Sequence, residues 1–365
     1  IFLSLIFLYS FYCAIQLGYT WDVLFYYEIG RERLDYLFSF GSNEVDDKVY
    51  ARRFLTGAYA TISAFFVQFF PRNYILEAIY FINLTFSILA IFGIYKVTKE
   101  LFNKKIGQIT FIICFFNPIF FGHMAMNSID TIIAFSNIWF FYVILRYFKN
   151  QHNKQKKNNY VIYCGLALGL GLGVRYSFII TIVPILLFVL FEIFYFKIFT
   201  SIKFSKKLFL LDTIKVVLIA YFFMVLFWPY THPNIFVLPF KLAIESFSFG
   251  FGVPFILFNG EVFQPHQLPK SYLIVSLFYK MPEFFILSFI LFGIYFLKVS
   301  SYFKNEFKGY HFKVFSILFI IFFPNLLLFV TPYSAYDGLR LFLFLIPYSC
   351  IIPSLLVYFL YKKIK

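Results

Sequence analysis

Ionisable side chains at the ends of apolar runs are the first candidates for chemistry in this chain. A charged group close to a bilayer is costly, so such groups are functional candidates by default. Asp22 follows Trp21 directly after the first apolar run. Its carboxylate could serve as a general base at a membrane surface, where an acceptor meets a lipid-borne substrate. The alternative is an interfacial tryptophan followed by an ordinary loop carboxylate.

A second polar group occupies the turn that ends at Asp130. His123, Asn127 and Asp130 lie within eight residues, between two apolar runs. Asp130 could instead cap the following helix, with Asn127 in the turn. A divalent metal is possible here but unsupported, because one histidine and one carboxylate are too few ligands to claim a site. No cofactor is predicted.

Two arginines stand at the ends of apolar runs. Arg175 follows a glycine-rich run, 165–174, of a kind that is typical of close helix packing. Arg340 follows Tyr336 and Asp337 at the start of the last apolar run. Either guanidinium could extend to lipid headgroups or bind a substrate phosphate. An ion pair between Asp337 and Arg340 is a third possibility.

These residues must be positioned by membrane helices. The chain has 365 residues, of which 61% are hydrophobic and only 13% charged, whereas soluble domains carry about 25% charged residues. Apolar runs of about 20 residues, the length of a membrane-spanning helix, recur along the whole chain. Backbone groups in lipid must be satisfied within the segment, so the runs predict helices. We therefore predict an all-α integral membrane protein, with residues 1–365 forming a single polytopic domain.

The lysines indicate the orientation. About 20 of the 24 lysines fall in five clusters, whereas acidic residues crowd 22–47. The positive-inside rule places the lysine clusters and the C-terminus in the cytoplasm, and it accounts for the net charge of +15 without a nucleic-acid partner. All five lysine clusters lie in the cytoplasm only if the apolar run 54–70 does not cross the membrane. The predicted crossings are then 1–17, 74–95, 106–121, 131–148, 160–175, 177–196, 208–228, 283–298, 313–330 and 341–360.

The outer segments carry the remaining candidates. The first outer loop, 18–73, is expected to hold surface-lying helices across 24–40 and 54–70. The long outer loop, 229–282, contains a predicted turn at Asn259-Gly260, and Lys270 follows it. The chain opens inside an apolar run without a methionine, so the given N-terminus is expected to be truncated. The four cysteines are scattered singly, which favours packing roles.

Taken together, these segments resemble the membrane glycosyltransferases of family 39 and their relatives, the GT-C class, in a bacterial branch. That class includes protein O-mannosyltransferases and lipid A aminoarabinose transferases. The matching stretches occur in the family's order and span about 18–347. They are Gly18–Val23, Phe121–Asp130, Gly165–Arg175, Trp228-Pro229, Leu257–Gly260, Leu268-Pro269 before Tyr272, and Tyr336–Phe344.

The resemblance implies a multi-span GT-C bundle with interfacial helices in the first outer loop. It also implies transfer of a hexosyl or pentosyl group from a polyprenyl-phosphate donor on the periplasmic or luminal face, here in a bacterial inner membrane. Asp22 would be the base that leads to inversion. Substrate would be bound by Trp21, His123, Asn127, Asp130, Arg175, Asn259, Lys270, Tyr336, Asp337 and Arg340. The acceptor, whether glycan, lipid or protein, stays open.

The chain departs from the family pattern at four positions. Val23 replaces a glutamate, Ser128 and Ile129 replace proline and lysine, and Leu341 replaces a histidine. These losses raise the alternative of an inactive paralogue. A flippase for lipid-linked saccharides is a second alternative, although the crossings are nearly free of charge at their centres. No phosphate-binding glycine motif supports nucleotide-driven transport.

Overall fold

The computed structural model describes residues 2–46, 50–248, 255–330 and 335–364. Within these ranges the chain is mostly helical. The α-helices are α1 Phe2–Ile15, α2 Trp21–Phe38, α3 Ala58–Val67, α4 Ile75–Leu101, α5 Lys104–Phe115, α6 Pro118–His123, α7 Asp130–Asn150, α8 Lys154–Val174, α9 Phe178–Thr181, α10 Val183–Phe191, α11 Lys206–Leu226, α12 Leu238–Ser248, α13 Tyr272–Lys280, α14 Glu283–Ile294, α15 Phe296–Glu306, α16 Tyr310–Val330, α17 Leu345–Ser349 and α18 Ile351–Ile364.

The bundle is organised around α7. This helix packs between α4 and α8; α8 also contacts α11, and α4 contacts α1 and α5. In the most apolar window of α7, 78% of the residues are buried, compared with 28% for α11. The apolar side chains that α11 leaves exposed, such as Leu210 and Phe222, are suited to contact with lipid chains.

The helices agree with the predicted crossings in position, but within the described ranges fewer than the ten predicted are long enough to span a membrane by themselves. Each predicted crossing contains at least one helix. Among the described residues, five helices are long and apolar enough to span a membrane by themselves, or six if the bent pair α13–α14 is one span. Four predicted crossings are interrupted. Phe116-Asn117 separates α5 from α6, Ile182 separates α9 from α10, Tyr295 separates α14 from α15, and Cys350 separates α17 from α18. A π-helical turn at Glu192–Phe196 follows α10.

The segment 54–70 forms a helix too short to span. α3 has ten residues, or about 15 Å of helix, half of a hydrocarbon core of about 30 Å. Its side chains are nevertheless mostly buried, because α3 packs against α2, α4 and α8. The expected surface-lying helix is therefore largely enclosed by protein. The second expected surface helix is α2, which begins at Trp21 and ends at Phe38.

The segment 229–282 is more structured than a loop. Besides α12 and α13 it contains a small antiparallel hairpin of β1 Ile256–Phe258 and β2 Glu261–Phe263. Asn259 and Gly260 form its turn with φ values of 50° and 83°. Two positive φ angles are the requirement of a type I′ turn, which Asn-Gly meets at low cost. The turn predicted at this dipeptide is confirmed, whereas the strands were not predicted.

We expect that Gly30→Ala loosens the contact between α2 and α3. A Cβ at Gly30 would lie 2.2 Å from the Ala60 carbonyl oxygen, and overpacking of this kind costs about 1–3 kcal/mol. Gly293→Ala is the matched control, because a Cβ there meets nothing within 4 Å. Thermal unfolding in detergent should give a lower Tm for Gly30→Ala only. A Tm equal to that of the wild type would contradict the packing described.

Candidate active site

The turn before α7 directs the Asp130 carboxylate into the protein. The Asn127 side-chain oxygen accepts hydrogen bonds from the backbone N–H groups of Ile129 (3.0 Å) and Asp130 (2.8 Å). Asn127 thus satisfies the free N–H groups at the start of the helix. Its amide nitrogen donates to Asp130 Oδ2 over 3.0 Å. Asp130 is the first helical residue and does not cap the helix, so its side chain, only 4% exposed, is available for other partners.

Arg340 joins three aspartates from distant parts of the chain. Its Nε lies 3.3 Å from Asp130 Oδ2, and its Nη1 lies 3.1 Å from Asp337 Oδ2. Its Nη2 forms a direct ion pair with Asp22 Oδ2. Asp22 is in the first turn of α2 and Arg340 begins a short 3-10 helix, so this one guanidinium connects α2, α7 and the last part of the chain.

A second arginine approaches Asp130 from the opposite oxygen. Arg175 directly follows α8, and its Nη1 lies 3.6 Å from Asp130 Oδ1. The guanidinium also faces the hydroxyl groups of Tyr26 and Tyr336. Burial raises the pKa of Tyr26 to about 12, so this phenol stays protonated and can donate a hydrogen bond at neutral pH. We call Asp22, Asp130, Asp337, Arg175 and Arg340 the aspartate–arginine cluster.

The turn that carries Arg340 has a constrained backbone. Asp337 and Gly338 have φ values of 59° and 63°, in the left-handed region. The Gly338 N–H donates to the Tyr272 hydroxyl over 2.7 Å, which ties the turn to α13. A Cβ at Gly338 would lie 2.2 Å from the Lys280 Nζ. A side chain at position 338 would thus displace the Lys280 ammonium from this turn.

Lys280 adds a third cation to the edge of the cluster. It is the last residue of α13, it is exposed, and its positive charge acts on His123. With Lys280 included, three carboxylates face three cations, so the formal charges cancel. Only the two arginines are paired with aspartates, whereas Lys280 has no ion pair among the described residues, so an arriving anion competes with an aspartate at Arg175 or Arg340 but not at Lys280.

His123 lies beside the same charges. Its Nδ1 is buried and has no hydrogen-bond partner among the described residues. Burial lowers the pKa of the imidazole below its ordinary value of 6.5, and Lys280 lowers it further, whereas Asp130 and Asp337 act in the opposite direction. The ring is therefore neutral at pH 7 and can donate at one nitrogen and accept at the other.

The remaining predicted residues lie outside these contacts. Trp21 is the first residue of α2, and its side chain is outside the described part of the structure. Asn259 occupies the exposed hairpin turn. Lys270 Nζ donates to the Phe329 carbonyl oxygen over 3.2 Å. No contact among the described residues joins Asn259 or Lys270 to the aspartate–arginine cluster, and their assignment to substrate binding stays a prediction.

Sequence reasoning missed three residues that the structure brings to the site. Tyr26 lies one helical turn after Asp22, a spacing that places both side chains on one face of a helix. Lys280 is one of the few lysines outside the five cytoplasmic lysine clusters, and this position could have identified it as a candidate on the outer face. Tyr272 was noted in the sequence only as the end of a motif match, which gave it no role at the site. Among the described residues, no three His, Cys, Asp or Glu side chains are grouped as ligands of a metal ion.

We expect the stability to fall at acid pH partly through His123. The unfolded imidazole binds a proton near pH 6.5, whereas the folded one has a lower pKa. The unfolded state therefore binds more protons below pH 6.5, so unfolding becomes more favourable as the pH falls. His123→Gln cannot titrate and should lose less Tm between pH 8 and about 5. His152→Gln, at an exposed position, should behave like the wild type; a His123→Gln profile that also follows the wild type would contradict this account.

Comparison with known proteins gives a consistent result. The family model of dolichyl-phosphate-mannose–protein mannosyltransferases matches residues 58–228. No curated protein sequence matches the chain. Among solved structures, ArnT from Cupriavidus metallidurans bound to undecaprenyl phosphate superposes with a TM-score of 0.64 at 9% identity, over 97% of this chain and 58% of ArnT. The apo state of ArnT gives a TM-score of 0.61 at 10% identity, over 97% of this chain and 59% of ArnT.

The Archaeoglobus fulgidus oligosaccharyltransferase, in its apo form, has a TM-score of 0.57 at 14% identity, over 98% of this chain and 50% of that protein. The chain thus spans about three fifths of ArnT and half of the oligosaccharyltransferase. At these identities the likeness concerns the fold. The multi-span helical bundle and the GT-C fold expected from the sequence motifs are confirmed.

Proposed function

We propose that the chain transfers a sugar from a polyprenyl phosphate to an acceptor hydroxyl, with Asp22 as the base. The observation that carries the proposal is the aspartate–arginine cluster, in which a carboxylate at the start of α2 is held by a guanidinium that could also bind phosphate. ArnT, which shares the fold, is known with undecaprenyl phosphate bound, and this supports a donor of the same chemical class.

Donor binding would rearrange the cluster. Both arginines of the cluster are paired with carboxylates, so a donor phosphate that binds one of these arginines must replace a carboxylate there. Asp130 is only 4% exposed, whereas Asp22 and Asp337 are 25% and 58% exposed and both accessible. The exchange at the Asp22–Arg340 pair is the one that also frees a base. Phosphate would take Arg340 and release the Asp22 carboxylate to the acceptor. The base would thus become available only when the donor is in place.

The reaction would then proceed in one displacement. Asp22 accepts the proton of the acceptor hydroxyl while that oxygen attacks the anomeric carbon. The bond from this carbon to the phosphate oxygen breaks, the polyprenyl phosphate leaves with the electron pair, and the anomeric configuration inverts. Arg340 and Lys280 would stabilise the negative charge of the leaving phosphate. The energy is already in the donor bond, so no nucleotide is required.

The position of the cluster along α7 supports an outward-facing site. Asp130 is the first residue of α7, whereas Arg146 and Lys149 near its end pair with Glu100. The 21 residues of α7 extend about 30 Å, the thickness of a hydrocarbon core. If the lysine clusters are cytoplasmic, the site faces the opposite compartment, which for a bacterial inner membrane is the periplasm. The C-terminus would then be cytoplasmic.

Asp22→Asn should abolish most of the transfer activity. Loss of a general base typically costs about 10²–10⁴-fold in rate. The measurement is transfer of radiolabel from polyprenyl-phosphate sugars to a mixture of membrane lipids and glycans by the protein in nanodiscs. Asp35→Asn is the control, since Asp35 is an exposed residue of the same helix.

Full activity of Asp22→Asn would show that Asp22 is not the base. If the wild type moves a polyprenyl-phosphate sugar across the bilayer of liposomes but transfers no label, a flippase is favoured over an enzyme. Donor binding without either activity would indicate an inactive paralogue, the reading that Val23 and Ile129 raise at positions where the family has glutamate and lysine.

Lys280→Ala should raise the KM for the donor, because Lys280 supplies a cation in place of the lysine that Ile129 replaces. We expect about a 10-fold rise, equal to about 1.4 kcal/mol of donor binding. Lys280→Arg should retain most of the affinity, since the charge is kept. Lys304→Ala, at an exposed position in the last turn of α15, is the control. An unchanged KM for the donor in Lys280→Ala would remove Lys280 from the phosphate site.

A further inference from the structure

A cavity lies at the far end of α2 from Asp22. It has a volume of about 540 Å³ and is bordered by the end of α2, the 3-10 helix Pro229–Asn234, α12, and the side chains of Glu44, Val45 and Arg53. Tyr36 contributes to its wall and lies fourteen residues after Asp22, which corresponds to about 21 Å along the helix. We call it the distal cavity. Its volume is within the range of about 300–1,000 Å³ that is usual for small-molecule sites.

The lining of the distal cavity combines aromatic rings with charges of both signs. Two carboxylates and two cations face it, so the formal charges sum to zero. This balance suits neither a polyanion nor an apolar lipid chain. It does offer donors, acceptors and aromatic faces, the combination that suits a polyhydroxylated ligand. The residues concerned are Tyr36, Tyr230, Glu44, Glu245, Arg53 and Lys241.

The walls are held by hydrogen bonds that do not depend on a ligand. The Tyr36 hydroxyl bonds to His232 Nδ1 over 3.1 Å, and the Tyr230 hydroxyl donates to the Asp46 carbonyl oxygen over 2.9 Å. Arg52, mostly buried, forms an ion pair with Glu32 and so holds the 3-10 helix Tyr50–Phe54 against α2. A site whose groups are already in position loses less entropy on binding.

One face of α12 closes the cavity. Leu238, Lys241, Leu242 and Glu245 all line it, and their spacing of i, i+3, i+4 and i+7 is that of a single helical face. Ile244 lies off this face and is 70% exposed. A larger side chain at Leu238 would therefore fill the cavity. A larger side chain at Ile244, on the same helix, would not, so Ile244 is the matched control.

We propose that the distal cavity binds a saccharide segment of the acceptor, while the acceptor hydroxyl reaches Asp22 along α2. The assignment of the bound sugar to the acceptor rests on the proposed function. The binding of a saccharide in the cavity does not depend on that function. Glu44 and Glu245 would accept hydrogen bonds from sugar hydroxyls, Arg53 and Lys241 would donate to them, and Tyr36 and Tyr230 would contact the sugar rings.

Saturation-transfer NMR on the full chain in sugar-free phospholipid nanodiscs tests this directly. The probe is an equimolar mixture of maltopentaose, chitopentaose and mannopentaose, with an acetylated Ser/Thr-rich pentapeptide as a second sample. We expect a saturation-transfer signal on the protons of at least one saccharide with the wild type, with Ile244→Trp and with Asp22→Asn. Leu238→Trp fills the cavity and should lose the signal, and Glu245→Gln, which keeps the side-chain shape, should weaken it.

The outcomes separate this inference from the proposed function. No saccharide signal with folded wild type, or equal signals with the wild type and Leu238→Trp, overturns the inference. A signal from the peptide alone that Leu238→Trp removes assigns the cavity to a peptide and overturns the saccharide. If the saccharide binds as expected but the wild type transfers no sugar, the proposed function fails while the distal cavity remains a saccharide site.

Discussion

The Asp130 carboxylate lies at the start of α7 with 4% of its side chain exposed, at a depth where a charge without partners is very unfavourable. Three groups compensate it: Arg340 at one oxygen, Arg175 at the other, and the Asn127 amide. Removal of one partner of a buried ion pair typically costs about 3–5 kcal/mol. The protein must therefore bring the end of α8 and the last 3-10 helix to this point, and Arg340 in turn pairs with Asp22.

The helices meet there because glycine lets them approach closely. Gly165 and Gly169 of α8 face α11, where a Cβ would lie 2.7 Å from Ile219 and 2.9 Å from Phe223 side-chain carbons. This packing sets the position of Arg175 at the end of α8. Gly30 plays the corresponding part for α2, which it brings against α3. Tight contacts between small residues replace the hydrophobic effect as the means of helix association in lipid, so the site depends on glycines that touch no substrate.

The sequence predicted the members of the cluster better than their arrangement. Charges at the ends of apolar runs are costly near a bilayer and are therefore functional candidates. This criterion identified Asp22, Asp130, Arg175 and Arg340. Pattern alone could not show that Arg340 contacts Asp22 across 318 residues of chain, since such contacts depend on the packing of the whole bundle. The respective parts of Asn127 and Asp130 were also open, because either residue type can cap a helix. Lys280 escaped notice for a similar reason: it reaches the site only through the contact of α13 with the turn at Gly338.

The central claim is that the donor phosphate takes Arg340 from Asp22 and so releases the base. A structure of the full chain in nanodiscs with undecaprenyl phosphate tests it most directly. The account predicts phosphate oxygens within hydrogen-bonding distance of the Arg340 guanidinium and an Asp22 carboxylate that no longer contacts Arg340, while Arg175 still holds Asp130. Phosphate bound away from Arg340, with the Asp22–Arg340 ion pair intact, would contradict it.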